Sequence, residues 1–341
     1  MDLKNNRTGR IAIRPFHPGS HLEAALALWN ASAAAGEVVY APLDRDSFRL
    51  KLLEGPGAAP GLFLVAESEG QLLGFVHGAR KTAFLPGEQA DSAPGYLTCL
   101  FVSPAHRRRG IGSALLAALE DRFRALHHTR LLCAEANPVQ LDWLIPGTNG
   151  HDHNKAPGVD TACTGYVFLL NRGFAERHRE VAMYLNLAEY QPLKDLQARR
   201  DRLAAEGIQT GRYDPALSYD YDTLCDRVGS PYWREVLRQE LAKAHPRVIL
   251  AATHQGRMVG FTGPVDKQAS GRGWFSGICT DPGFSGRGIA TVLFHLLLKE
   301  FINIGASFST LFTGESNPAR GIYDRAGFRP VKHFAVMERM L

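Results

Sequence analysis

Apolar positions along the chain follow two rhythms, one of period two and one of period 3.6, and their order predicts alternating short strands and helices. Ile11 to Arg14 alternates as a strand that Pro15 closes. Ser20 is positioned to cap a helix whose apolar face holds Leu22, Ala25, Leu26 and Trp29. A second helix is expected over Asp44 to Leu53, before the breaker Gly55-Pro56-Gly57. Leu62 to Ala66 and Leu72 to His77 read as a hairpin around Glu69-Gly70. Tyr96 to Val102 is the next strand, and the helix from Gly110 to Ala125 sets Ile111, Leu115, Leu119 and Phe123 on one face. Leu131 to Glu135 follows as a strand that Asn137-Pro138 ends, then a helix over Tyr166 to Asn171 stops at Gly173-Phe174. Glu180 to Leu187 alternates as a closing strand.

The same order then recurs. Gly70, Gly74 and Phe75 line up with Gly256, Gly260 and Phe261, and Pro104 and Gly110 with Pro282 and Gly288. Asn137-Pro138 matches Asn317-Pro318, Gly173-Phe174 matches Gly327-Phe328, and Met183 falls on Met337. Landmarks that keep their order while the spacing shifts only in loops describe one fold used twice. The expected domains are 1–188 and 208–341, with a helix in 189–207, started by Pro192 and stopped by Gly207, as linker or as part of the second domain.

Arg107-Arg108-Arg109-Gly110-Ile111-Gly112 joins a strand to a helix. Free N–H groups of a first helical turn, the helix dipole and the arginine charge all favour a phosphate there. The second half has Ser285-Gly286-Arg287-Gly288-Ile289-Ala290 at the corresponding place.

With both loops in view, each half resembles the GNAT superfamily of N-acetyltransferases, as a tandem two-domain member. The resemblance covers almost the whole chain. It rests on the loop pattern [QR]-x-x-G-x-[GA], complete at Arg107 to Gly112 and carrying Ser285 in place of Gln or Arg in the second half, and on the repeated Asn-Pro and Gly-Phe. The implied fold class is α/β in the mixed α+β sense: two fused acyl-CoA N-acyltransferase folds, each a mixed, mostly antiparallel sheet flanked by helices. The implied donor is acetyl-CoA; no metal is expected, because His151-x-His153 with Asp152, which could in principle bind one, lacks an evident third ligand. In the first half it would meet Phe101, Val102, Arg107, Arg108, Arg109, Gly110, Ile111, Gly112, Ser113 and Asn137. In the second half the matching positions are Cys279, Thr280, Gly286, Arg287, Gly288, Ile289, Ala290 and Asn317. Strands splayed beside the loop would offer backbone groups to the pantetheine arm, and N–H groups near Val102 or Thr280 would polarise the thioester.

The resemblance also implies an acid for the leaving thiolate, a tyrosine four residues before Gly-Phe. Tyr323 stands there in the second half and Leu169 in the first. The first half instead carries about 26 additional residues in a long insertion near 139–165: 35 residues run from Pro138 to Gly173 against 9 from Pro318 to Gly327. A lid or substrate wall is the expectation for it. His151 and His153 are its candidate bases, because histidine titrates near neutrality, although each alone fits a solvated loop equally well. Asp214, Asp220 and Asp222 with Tyr213, Tyr219 and Tyr221 read either as a landing place for a cationic amine or as a polar loop.

Composition narrows the partners. The 341 residues are 45% apolar and 21% charged, with a net charge of +5. That excess suits a phosphate-bearing cofactor, but it falls short of a nucleic-acid arm. Five scattered cysteines without C-x-x-C spacing argue against a disulfide framework or zinc ribbon and fit a reducing compartment. No run of eighteen apolar residues and no signal-peptide core occurs, so a cytoplasmic protein without membrane contact is expected, as monomer or homodimer. The expected activity is acetyl transfer to a small-molecule amine. The alternatives are an acyl-CoA-binding sensor with one or both halves inactive, and acetylation of a protein N-terminus or lysine.

Overall fold

The computed structural model describes residues 2–3, 11–59, 61–215 and 220–341. They form two compact units, residues 1–181 with 332–341, and residues 182–331.

Unit 1 runs β1 (Asp2–Leu3), β2 (Ile11–Pro15), α1 (Pro18–Ala34), α2 (Arg45–Leu52), β3 (Phe63–Ser68), β4 (Gln71–Arg80), β5 (Gly95–Val102), α3 (Ile111–Ala125) and β6 (Arg130–Cys133). These strands lie side by side in chain order and are antiparallel except for β5 beside β6. Neighbouring residues on a strand serve opposite faces. Leu64 and Val76 join Ile111, Leu115, Leu119 and Phe123 of α3 in one core, while Val65 and Phe75 join Leu22, Trp29 and Phe48 of α1 and α2 in the other. Burial on both faces is why these strands read as nearly continuous apolar runs. Two helix starts follow local chemistry. Pro18 occupies the first turn of α1, two residues before the expected cap at Ser20. The Asp44 carboxylate accepts from Ser47 N at 2.6 Å to cap α2.

The insertion is built rather than loose. β7 (Trp143–Leu144) and β8 (Asp152–His153) make a small hairpin, β9 (Val159–Asp160) pairs with the end of the chain, and α4 (Thr164–Leu170) leads into β10 (Ala175–Asn186). Gly158 fits only as glycine, since a Cβ there would lie 2.3 Å from the carbonyl oxygen of Ala335.

Unit 2 continues with α5 (Leu196–Ala205), β11 (Ile208–Arg212), α6 (Tyr221–Arg227), α7 (Pro231–Leu241), β12 (Leu250–His254), β13 (Arg257–Thr262), β14 (Asp266–Lys267), β15 (Arg272–Trp274) and β16 (Ile278–Thr280). α8 (Ile289–Asn303), β17 (Phe308–Gly314) and α9 (Arg320–Arg325) follow, and the last strand, β18 (Arg329–Met340), starts in unit 2 and passes into unit 1 at Lys332. β11, β12, β13 and β16 form an antiparallel sheet, and β17 runs parallel to β15. Leu224, Leu237, Met258 and Phe261 make its core on the α6–α7 side.

The compact units differ from the expected division at the end of the chain and take up one of the two expected places for the helix before Gly207. The last ten residues belong to unit 1, because backbone pairing from Met337↔Cys133 to Met340↔Arg130 ties β18 to β6. The helix expected in 189–207 lies within unit 2, where α5 contacts α8 and β11.

Candidate active site

In unit 1, β5 pairs with β4 from Gly95 to Val102 but with β6 only at Gly95↔Leu131 and Tyr96↔Leu132. Beyond Tyr96 the two strands part, and the edge of β5 from Leu97 to Val102 borders a cavity of about 950 Å³. At the last stretch of pairing, Gly95 leaves room for Phe123 of α3, since a Cβ would stand 2.5 Å from the ring. The pairing register slips by one residue between His77 and Gly78, which leaves Thr98 as a bulge on β5. A bulge re-aims backbone groups. Here Tyr40 Oη donates to the Thr98 carbonyl at 3.2 Å, and Asn137 Nδ2 donates to Thr98 Oγ1 at 3.2 Å. Burial pushes the Tyr40 phenol far above its ordinary pKa, so it remains a donor.

The arginine loop borders the same cavity through Arg107, Arg108 and Gly110. Gly110 (φ 81°) caps α3 in the left-handed region, and Arg108 (φ 61°) shares that conformation. Such a backbone costs a non-glycine residue, which marks the loop as a shaped element. Arg107 is committed internally: its Nε donates to the Val102 carbonyl at 3.0 Å, and its two terminal nitrogens grip the Glu37 carboxylate at 2.9 and 2.5 Å. That hydrogen bonding holds the Glu37 carboxyl below the usual carboxylate range. Arg108 and Arg109 are exposed and make no ion pair among the described residues, so the loop's free positive charge is theirs.

Unit 2 repeats the construction at a spacing of 178 residues. The Gly95↔Leu131 pair becomes Gly273↔Ser309, and Phe123 against Gly95 becomes Phe301 against Gly273, with a Cβ distance of 2.6 Å. The bulge at Thr98 becomes a break between β15 and β16 at Ser276-Gly277, where Trp233 Nε1 donates to the Ser276 carbonyl at 3.2 Å. Gly288 (φ 86°) caps α8, and Gly286 (φ 79°) takes the conformation that Arg108 adopts under strain. The asparagines make the same turn: Asn137 Oδ1 accepts from Val139 N at 2.9 Å, and Asn317 Oδ1 from Ala319 N at 3.0 Å, although their amide nitrogens reach different threonines, Thr98 and Thr313. Charge differs. Arg287 is paired with Glu206 at 2.6 Å, and Asp281, at the foot of the loop, with Arg227 at 2.5 Å. Thr280 Oγ1 is buried and has no hydrogen-bond partner among the described residues.

The sequence-derived residues fall into three groups. Phe101, Val102, Arg107, Arg108, Gly110, Ile111, Gly112, Ser113 and Asn137 all border the unit 1 cavity. Cys279, Thr280, Gly286, Arg287, Gly288, Ile289 and Ala290 lie along the matching strand and loop of unit 2, and Asn317 follows β17. The candidate acids and bases are more dispersed. Tyr323 is 7% exposed, packs against Phe294 and Phe328, and has its pKa pushed up to about 12 by burial. His153 is buried, stacks on Trp143 and accepts from Lys155 N at 3.2 Å. Neither it nor His151 is among the residues bordering the cavity. Of the acidic-aromatic stretch, Tyr213 and Tyr221 pack on the unit 2 core and Asp222 pairs with Arg234, while Tyr219 lies outside the described residues.

Tyr40, Thr98, Trp233, Ser276 and Asp160 are site residues that pattern reading passed over. One signal for the parting of the strands was present, because Gly95-Tyr96 and Gly273-Trp274 stand at the same distance before their loops. Among the described residues no group of three or more His, Cys, Asp or Glu side chains is arranged to hold a metal, and no helix is long and apolar enough to cross a membrane.

Comparison with known proteins gives consistent matches to both units. Residues 26–142 match the acetyltransferase (GNAT) family and residues 219–338 the acetyltransferase (GNAT) domain. The chain is 26% identical over 288 residues to the mycothiol acetyltransferase of Clavibacter michiganensis subsp. michiganensis, covering 82% of this chain and 80% of that protein. A tandem GNAT protein from the clavulanic acid biosynthesis pathway superposes with a TM-score of 0.57 at 17% identity, over 97% of this chain and 98% of that one. The GCN5-related glucosamine N-acetyltransferase region of a fungal multi-domain β-N-acetylglucosaminidase gives 0.69 at 17% identity. It aligns with 98% of this chain, which spans 38% of that longer protein. At these identities the solved structures speak for the fold alone.

Proposed function

The chain belongs to the GNAT family of acetyltransferases, and from that premise we propose that it moves an acetyl group from acetyl-CoA to the amine of a small molecule. The observation that carries this reading is the free edge of β5 running from the bulge at Thr98 to the glycine-capped start of α3. The edge suits an amide-rich arm, and the helix start suits a pyrophosphate. Phe101 and Val102 would pair with the arm, and the backbone from Arg107 to Ser113 would hold the phosphates. Arg108 and Arg109 would add unpaired positive charge. Cys279, Thr280 and the segment from Gly286 to Ala290 would do the same in unit 2.

In the transfer, the neutral amine attacks the thioester carbonyl. A C–N bond forms, the C–S bond breaks, the amine gives up a proton and the CoA sulfur gains one. Backbone donors near the strand break would stabilise the oxygen that gains charge. In unit 2, Tyr323 is the candidate acid, since its raised pKa keeps the proton available at neutral pH. The insertion that walls the unit 1 cavity supports a small acceptor over a protein chain.

A second reading, that unit 1 binds acyl-CoA without turning it over, is favoured by Leu169. This buried residue borders the cavity four residues before Gly173-Phe174, where unit 2 has Tyr323. The test is to mix protein, acetyl-CoA and an amine library and follow CoA release. Release with some amines is expected. Donor binding without turnover across diverse amines would replace the transferase by a sensor.

A further inference from the structure

The insertion of unit 1 brings a buried carboxylate to the cavity wall. Asp160, on β9, borders the cavity and is only 7% exposed. The Ala162 N–H donates to its Oδ1 at 3.0 Å, and Lys332 Nζ, from the last strand, donates to its Oδ2 at 2.5 Å. Backbone pairing of Asp160 with Phe334 fixes the strand that carries it. A carboxylate offers roughly four acceptor positions, so these two bonds leave capacity for a further donor arriving from the cavity.

The surroundings say what kind of donor fits. Tyr40, Val139, Leu141 and Val159 contribute apolar and aromatic lining to the same cavity. Asp160 and the thiols of Cys99, Cys133 and Cys163 are electrostatic neighbours of the Tyr40 phenol, which is itself bonded to the bulge at Thr98. The carboxylate therefore sits near the strand break rather than at the phosphate-binding loop. Lys332 shows that a primary ammonium is a partner Asp160 accepts. The connection from Pro318 to Gly327 in unit 2 is too short to supply an equivalent strand.

We propose that the walled end of the unit 1 cavity is an amine-binding site, in which Asp160 receives the ammonium of a compact primary amine while Tyr40, Val139, Leu141 and Val159 enclose its apolar body. This deepens the transferase reading and rests on it for the fate of the amine, but the binding itself is tested without turnover.

Benzylamine and its uncharged isostere benzyl alcohol are titrated into the full chain saturated with CoA, which carries no acyl group to transfer. The wild type is expected to bind the amine more tightly by about 10- to 100-fold, the scale of a hydrogen bond to a charged group. Asp160→Asn should bind both probes equally, and Asp160→Glu should restore part of the preference. A structural ion pair alone would leave the preference untouched. Equal affinities in the wild type, no binding of either probe, or a preference that survives in Asp160→Asn overturns the site. The wild-type comparison decides even where Asp160→Asn does not fold, as its CoA titration would reveal. An Asp160-dependent preference with no CoA release from acetyl-CoA by any amine would sink the transferase reading and leave the amine site standing.

Discussion

The Tyr40 hydroxyl donates to the carbonyl oxygen of Thr98 at 3.2 Å, and 178 residues after Thr98 the Ser276 carbonyl receives the indole N–H of Trp233 at the same distance. Different side chains thus pin the same backbone break in both units. Each break lies where the central strand leaves its parallel neighbour, so the bond stabilises the opening along which the proposed donor would lie. Tyr40→Phe keeps the ring and deletes one neutral hydrogen bond. We expect a loss of about 1 kcal/mol, read as a lower urea midpoint at constant m value. Trp233→Phe should cost more, because the indole also packs against Phe261 and over Gly277. An unchanged midpoint for Tyr40→Phe would mean that packing alone holds the bulge.

Gly110 and Gly288 both cap their helices in the left-handed region, and no atom lies within 4 Å of a Cβ built on either. Their requirement is conformational, not spatial. Gly110→Asp and Gly288→Asp add an unfavourable backbone and a negative charge where a pyrophosphate would sit. Each variant is expected to lose one equivalent of acetyl-CoA in calorimetric titration and keep the other. Wild-type stoichiometry in both variants would remove the donor from these loops.

Much of this organisation was legible because it is local or repeated. The helix over Ile111 to Ala125 followed from its apolar period, and the two loops from glycines at a fixed distance after a proline. Asn137 and Asn317 came out of the repeat and make the same backbone turn. What stayed hidden depends on long-range pairing. The bulge at Thr98 arises from its register against β4, which no single strand encodes. The membership of β18 in unit 1 depends on its partner β6, 200 residues away in sequence, so alternation predicted the strand and not its sheet. Within the insertion, His151 and His153 drew notice by residue type, whereas Asp160 matters by its position on a two-residue strand.

Unit 2 has a pH-sensitive support in Glu240. Burial by itself would raise its pKa, but Arg247, through both its backbone N–H and its guanidinium, and Lys243 outweigh this and bring it down to about 2. A carboxyl with a depressed folded-state pKa contributes stability that is fully present above its unfolded value near 4.3 and is lost as pH falls toward 2. Glu240→Gln should destabilise unit 2 at pH 7, and its deficit against the wild type should shrink by pH 3. Melting curves of both proteins at the two pH values check this, and an equal deficit at both would assign the effect to packing.

Tyr323 distinguishes unit 2 from unit 1, where Leu169 stands at the matching position. Its ring lies against Phe294 and Phe328, and burial holds its pKa near 12, so the phenol stays protonated at neutral pH. Removing the hydroxyl leaves the apolar packing intact. If it delivers the proton to the departing thiolate, Tyr323→Phe should lower kcat by about 10²- to 10⁴-fold, the usual scale of general acid catalysis, while acetyl-CoA affinity by calorimetry is unchanged. An unchanged kcat would shift the reaction to unit 1, where Leu169 replaces the phenol and Asp160 borders the cavity. In that case Asp160→Asn, not Tyr323→Phe, should raise the KM for the amine.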